Sequence, residues 1–130
     1  MATVHREPNQ VKWIGVRPGH NGDQVLENDT AINVLKTIYT VPADKLLFLF
    51  AYDIGVYSGA AATAYFYIYD DTPAIFKSLA VRPVTANTAV SSSQGLWVPI
   101  EIPEGYSLRL ITSVAGCAIY VSIHGILIDA

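Results

Sequence analysis

This chain is short of charge. Asp, Glu, Lys and Arg make up 15% of its 130 residues against 52% hydrophobic, where a soluble domain carries about 25% charged. A single domain of this length has a high surface-to-volume ratio and cannot hide such an apolar excess in its own core, so part of the apolar surface is expected to be buried between subunits. Cysteine is nearly absent as well. Cys117 stands alone, which excludes an intramolecular disulfide, and no His/Cys set has zinc spacing. The eight basic and eleven acidic side chains are scattered singly to a net charge of −3, which provides no basic stripe for a phosphate backbone; nucleic acid is not an expected partner. No apolar run approaches the ~18 residues of a spanning helix, and Met1-Ala2-Thr3-Val4-His5-Arg6-Glu7 is followed by polar residues, so neither a membrane nor a secretory signal is expected.

What the chain does have is a repeated corner. Thr40-Val41-Pro42-Ala43-Asp44-Lys45 and Glu101-Ile102-Pro103-Glu104-Gly105-Tyr106 each join two apolar runs through a proline and a short polar bend. Proline lacks an N–H and fixes φ, so it sits where one strand stops pairing, and the acidic or glycine residues after it supply the turn. Period-two alternation predicts a strand over 31–41, and the nearly continuous apolar run 46–57 predicts a second, covered on both sides. The clearest alternation is 63–70, with Phe66 and Ile68 on a core face and Tyr65, Tyr67 and Tyr69 on the other. Those amphipathic rings suit a subunit interface or a ligand surface. Asp70-Asp71-Thr72-Pro73 reads as a turn, 75–84 as an edge strand interrupted by Pro83, and 85–94 as an exposed loop. Strands resume at 95–102, where Pro99 marks an edge or bulge, at 107–112, and at 117–129, where Gly125 predicts a bulge or close backbone approach with a phase shift after it. The expected architecture is all-β: an antiparallel β-sandwich of jelly-roll type with about seven or eight strands over 31–130. Residues 1–30 are polar and turn-rich and are expected to form an extended N-terminal arm, anchored on its own domain or a neighbour by Trp13.

Catalytic signatures are missing. The histidines are His5, His20 and His124, with no Gly-x-Ser-x-Gly elbow, no Cys-His signature and no His-x-His of a cupin metal site. Ser122 and His124 share a strand face as a weak pair, for which a structural role is the expectation. Asp70-Asp71 falls short of the six to eight oxygens calcium requires and suits turn chemistry. Glu101 and Glu104 bracket a corner instead of facing across a cleft. Cys117 has no nearby cation to activate it and reads as a small buried hydrophobe; Gly15, Gly19 and Gly22 form no phosphate-binding fingerprint. No enzyme activity, cofactor or metal is expected.

The pieces Tyr39-Thr40-Val41-Pro42-Ala43-Asp44-Lys45, Trp97-Val98-Pro99-Ile100-Glu101-Ile102-Pro103-Glu104-Gly105-Tyr106-Ser107-Leu108 and Ile123-His124-Gly125-Ile126-Leu127-Ile128 resemble small jelly-roll structural proteins of tailed bacteriophages, over about residues 31–130. Asp44 departs from the pattern, standing where many such proteins have glycine. The resemblance implies a virion component made in a host cytoplasm: a trimer that decorates or cements a capsid, or sits in a tail or fibre, with a major capsid or tail protein as partner. A carbohydrate-binding module using Tyr65, Tyr67 and Tyr69 beside Asp70 and Asp71, with a glycan as ligand, is the rival expectation.

Overall fold

The computed structural model describes residues 11–14, 22–23, 26–29 and 34–129. Among them there is no helix. Three short strands come first, β1 (Val11–Ile14), β2 (Gly22–Asp23) and β3 (Leu26–Asp29), followed by seven longer ones: β4 (Lys36–Thr40), β5 (Lys45–Ser58), β6 (Ala62–Tyr69), β7 (Ile75–Val84), β8 (Thr88–Ile102), β9 (Ser107–Thr112) and β10 (Ala118–Asp129). One sheet runs β2-β1-β10-β5-β8, with β3 also on β10; the other runs β4-β9-β6-β7. Numbered from β3, the first, eighth, third and sixth strands share one sheet and the second, seventh, fourth and fifth share the other. That interleaving is the jelly roll.

β1 and β3 lie end to end along one edge of β10, with Val11↔Ile128 and Ile119↔Asp29 among the paired residues. The described pieces of the expected arm thus reach their own domain, and β3 supplies the first jelly-roll strand. The Trp13 side chain, expected as the arm's anchor, lies outside the described residues.

The core forms where the inner faces meet. Leu47, Leu49, Ile54, Val56, Ile119, Val121 and Ile123 come from one sheet, and Ala64, Phe66, Ile68, Leu108 and Leu110 from the other, all nearly inaccessible to water. Each large side chain so buried contributes about 1.5–3 kcal/mol. Cys117 is among them, its thiol directed at the Val114 carbonyl at 3.4 Å. Among the described residues no buried side-chain nitrogen or oxygen lacks a partner.

The two proline corners are neighbours in space. Val41 N donates to Tyr106 O (2.9 Å), Gly105 N to Val41 O (3.0 Å), and Asp44 N to Glu104 Oε2 (2.8 Å). Asp44 and Gly105 both take positive φ, 60° and 80°. This explains why glycine suits the Asp44 position, and aspartate is among the few other residues that tolerate it.

A bulge interrupts the pairing of β5 with both its neighbours. Leu49 pairs with Gly125 and Ile100, but Ala51 pairs with His124 and Gly95, so Phe50 is an extra residue against β10, whereas against β8 the surplus lies on the partner and 96–99 are extruded opposite Phe50. Burial switches phase across it, from Leu47 and Leu49 to Tyr52, Ile54 and Val56. Gly125 marks the register shift, as the sequence predicts, yet β10 keeps one burial phase from Ile119 to Leu127. The displacement is taken up by Phe50. Trp97 and Val98, at the crest of the extrusion, are fully and 77% exposed.

Two sequence expectations change. The strand expected over 31–41 is described from Lys36, with Val34 in an exposed bend. The expected loop 85–94 is a tight turn at 85–87 and then a strand, because β5 pairs with it from Ser58↔Thr88 to Tyr52↔Gln94. An edge strand with one wet face does not need an apolar period.

Candidate functional site

The outer face of the β4-β9-β6-β7 sheet is built on β6. Inward, Ala62, Ala64, Phe66 and Ile68 are buried; outward, Tyr65, Tyr67 and Tyr69 are partly exposed. Directly opposed residues share a face, so this face carries three rows: Val81–Tyr65–Ile111, Ser78–Tyr67–Arg109 and Ile75–Tyr69–Ser107. The Tyr65 and Tyr67 rings stack at 5.8 Å and 19°, and Tyr67 meets Tyr69 edge-on at 6.1 Å. The Arg109 guanidinium lies 4.9 Å from the Tyr69 ring centre, a cation–π contact, and its Nε donates to Ser107 Oγ. Burial, then the adjacent Tyr65 and Tyr69, push the Tyr67 phenol above its ordinary 10.0. Within these rows Ile75 and Val81 stay about half exposed, as does the neighbouring Phe76, which packs edge-on against Tyr106 at 5.3 Å. All three tyrosines singled out in the sequence thus fall in one patch. Asp70, by contrast, turns to its own loop: its Oδ1 accepts from Thr72 N, Thr72 Oγ1 and Ala74 N at 2.6–2.9 Å. Those bonds, led by the Ala74 amide, lower its pKa.

The outer face of the other sheet joins Asp53 to the Ser122–His124 pair that the sequence places on one strand face. Across β10, β5 and β8 the rows are Ala118–Tyr57–Ala89, Tyr120–Gly55–Ser91 and Ser122–Asp53–Ser93. Asp53 Oδ2 accepts from Ser122 Oγ and from His124 Nε2, each at 2.9 Å. In a catalytic triad the hydroxyl faces one imidazole nitrogen and the carboxylate the other. Here both lie on the Nε2 side, with Ser122 Oγ 3.4 Å from Nε2, so serine donates to carboxylate and no nucleophile is activated. The trio is a stitch across β5 and β10. Among the described residues no three His, Cys, Asp or Glu side chains converge as a metal site. The sequence signal for this cluster is the Ser122–His124 pair on one strand face; nothing local joins Asp53 to it.

Hydrogen bonds from Ser93, first, and from His124 hold the Asp53 pKa below its ordinary 3.8, outweighing the opposing effect of burial. A depressed folded pKa stabilises the fold above the unfolded value and loses that contribution as pH falls through the folded one. Thermal melts between about pH 6 and pH 2 should therefore show an acid-side loss that is shallower in Asp53→Asn, since ordinary carboxyls titrate near 4. An unchanged acid slope in the variant would remove Asp53 from the acid response.

The chain is an all-β jelly roll with a tyrosine-rich outer face on one sheet and an Asp-Ser-His stitch on the other. No protein-family model matches it, and no curated protein matches it in sequence. Among solved structures it is similar to a protein of Bacillus endospore appendages, a family of disulfide-linked pili, at 12% identity over 99% of this chain and 98% of that one, TM-score 0.43. It is similar also to a pentameric capsid protein from metagenomic phage sequences (18% identity, 82% of this chain, 59% of that one, TM-score 0.44). A third is the protein of the virus-like particle of the Macrobrachium rosenbergii extra small virus (7% identity, 100% and 84%, TM-score 0.46). Likenesses of this size are shared outline, and what those proteins assemble into is a property of those proteins.

Proposed function

We propose that this chain is a non-enzymatic structural subunit of a virion, a capsid decoration or cement protein that self-assembles as a trimer through the outer face of the β4-β9-β6-β7 sheet. The observation that carries this reading is the patch of Tyr65, Tyr67, Tyr69, Ile75, Val81 and Ile111 around Arg109. Buried interface centres are enriched in tyrosine and arginine and depleted of Lys, Asp and Glu, and contiguous exposed apolar patches mark interaction surfaces. The excess of hydrophobic over charged residues asks for the same outcome, and the resemblance of residues 31–130 to small phage structural proteins supplies the setting. In this reading the segment 1–30, with β1 and β3 held on their own β10, also contacts a major capsid or tail protein, and many weak repeated contacts give the assembly its hold through raised effective concentration.

The experiment is light scattering on the purified chain at micromolar concentration, with Tyr67→Ala beside it. A trimer is expected, and the variant should dissociate at a protein concentration about tenfold or more higher, the cost of losing a central interface tyrosine. A monomeric parent would overturn the reading. A variant with unchanged oligomer size but lost glycan binding would transfer the face to the carbohydrate-binding alternative, for which the stacked Tyr65–Tyr67 pair is the favouring feature.

A further inference from the structure

The outer face of the β10-β5-β8 sheet carries a second arrangement, independent of the tyrosine patch. Two contiguous depressions, of about 210 and about 280 Å³, share Gly55, Ser91 and Tyr120 and so form one trough along the sheet. Its floor exists because Gly55 has no side chain: a Cβ there would meet Ser91 Cβ at 3.8 Å and Tyr120 Cβ at 4.0 Å and project into the space above. Tyr57 stands at one end, 47% exposed, and Tyr120, 45% exposed, flanks the middle beside Gly55 on the β10 side. Asp53 closes the other, with Ser91, Ser92 and Ser93 along the β8 side.

The lining selects a chemistry. A carboxylate offers about four lone-pair positions, and Ser122 Oγ and His124 Nε2 both bond Asp53 Oδ2, so the carboxylate keeps acceptor capacity for a further donor. A cation would find too few oxygens here, and among the trough's lining residues there is no Lys or Arg to attract an anion. A wholly apolar partner would strand the Asp53 carboxylate away from water, which is costly. The complementary molecule is neutral, with an apolar C–H face for a tyrosine ring and hydroxyls that both donate and accept. We propose that this trough binds a neutral saccharide, a pyranose ring laid over Gly55 against Tyr120 with its hydroxyls toward Asp53, Ser91 and Ser93.

The test is amide-resolved NMR of the full chain with the methyl pyranosides of glucose, galactose, mannose and N-acetylglucosamine at about 10 mM, high enough to populate a millimolar complex. At least one should shift the Gly55, Ser91 and Tyr120 amides. Gly55→Leu fills the floor and should weaken that sugar's binding about tenfold or more, a built-in clash. Gly55→Ala makes only ordinary contacts and should keep the fold and at least part of the binding. Should the leucine variant fail to fold, Tyr120→Ala, which removes an exposed ring, carries the test and should lose affinity to a similar degree. No shift with any of the four sugars, shifts confined to Tyr65, Tyr67 and Tyr69, equal shifts with glycerol, or full binding by Gly55→Leu or Tyr120→Ala would each overturn the proposal.

Discussion

Gly125→Ala is expected to be the most damaging single-methyl change in this protein, costing about 3 kcal/mol or more, at or beyond the upper end of ordinary overpacking. A Cβ at this position would overlap the carbonyl oxygen of Phe48, with the Phe48 carbonyl carbon at 3.2 Å and Leu47 Cδ1 at 3.3 Å. The obstructing atoms belong mostly to the backbone of a neighbouring strand, so no side-chain rotation relieves them. β10 would have to lift from β5 where Leu49, Phe48 and Leu47 pair with Gly125, Ile126 and Leu127, next to the bulge at Phe50. Against a typical total of 5–15 kcal/mol, soluble yield should fall sharply, and the urea midpoint should drop for whatever folds. Gly55→Ala, on the same sheet, is the internal comparison: its new methyl meets only ordinary contacts and should change stability by less than about 1 kcal/mol. If the two alanines melt alike, the close approach of β10 to β5 is wrong.

Phe66→Ala should be the largest core truncation. Phe66 is wholly buried on β6, one of the two inner strands of its sheet, and its ring meets Tyr52 edge-on at 5.6 Å and 76° across the sandwich. Tyr52 is held in turn by its hydroxyl, which donates to the Leu79 carbonyl. Removing the ring loses its transfer free energy and leaves a cavity that two hydrogen-bonded sheets cannot close, an effect of about 3–5 kcal/mol. The urea midpoint should fall with an unchanged m-value. Phe66→Leu, which keeps most of the volume, should lose about half as much or less. Equal losses in the two variants would mean that the site collapses freely, contrary to a close-packed interior.

Much of the fold was legible because the relevant chemistry is local. Phe66 and Ile68 alternating with three tyrosines announce β6 and both its faces; Pro42 and Pro103 announce the corners; Pro83 sits on an edge strand. Local reading failed where a strand needs no apolar period. The stretch 88–94 is rich in Ser, Thr and Ala with one face in solvent, and only the pairing with β5 makes it a strand. The tyrosine patch was half visible: Tyr65, Tyr67 and Tyr69 were placed together by period two, whereas Val81, Ile111 and Arg109 joined them through cross-strand register. Of the Asp53 cluster only the Ser122–His124 pair was legible, as two side chains on one strand face; Asp53 was not, because it lies 69 and 71 residues from them in the chain.

Alternation, proline and glycine are properties of neighbouring residues, and by themselves they determined that this protein is all-β, where most of its long strands run and where two of its corners turn. The tertiary structure alone decided which strands meet. It laid β1 and β3 along β10, closed one proline corner on the other through Asp44 and Glu104, and gathered Asp53, Gly55, Ser91 and Tyr120 into a trough. Those arrangements rest on hydrogen bonds and packing between residues distant in the chain, and no local preference encodes them.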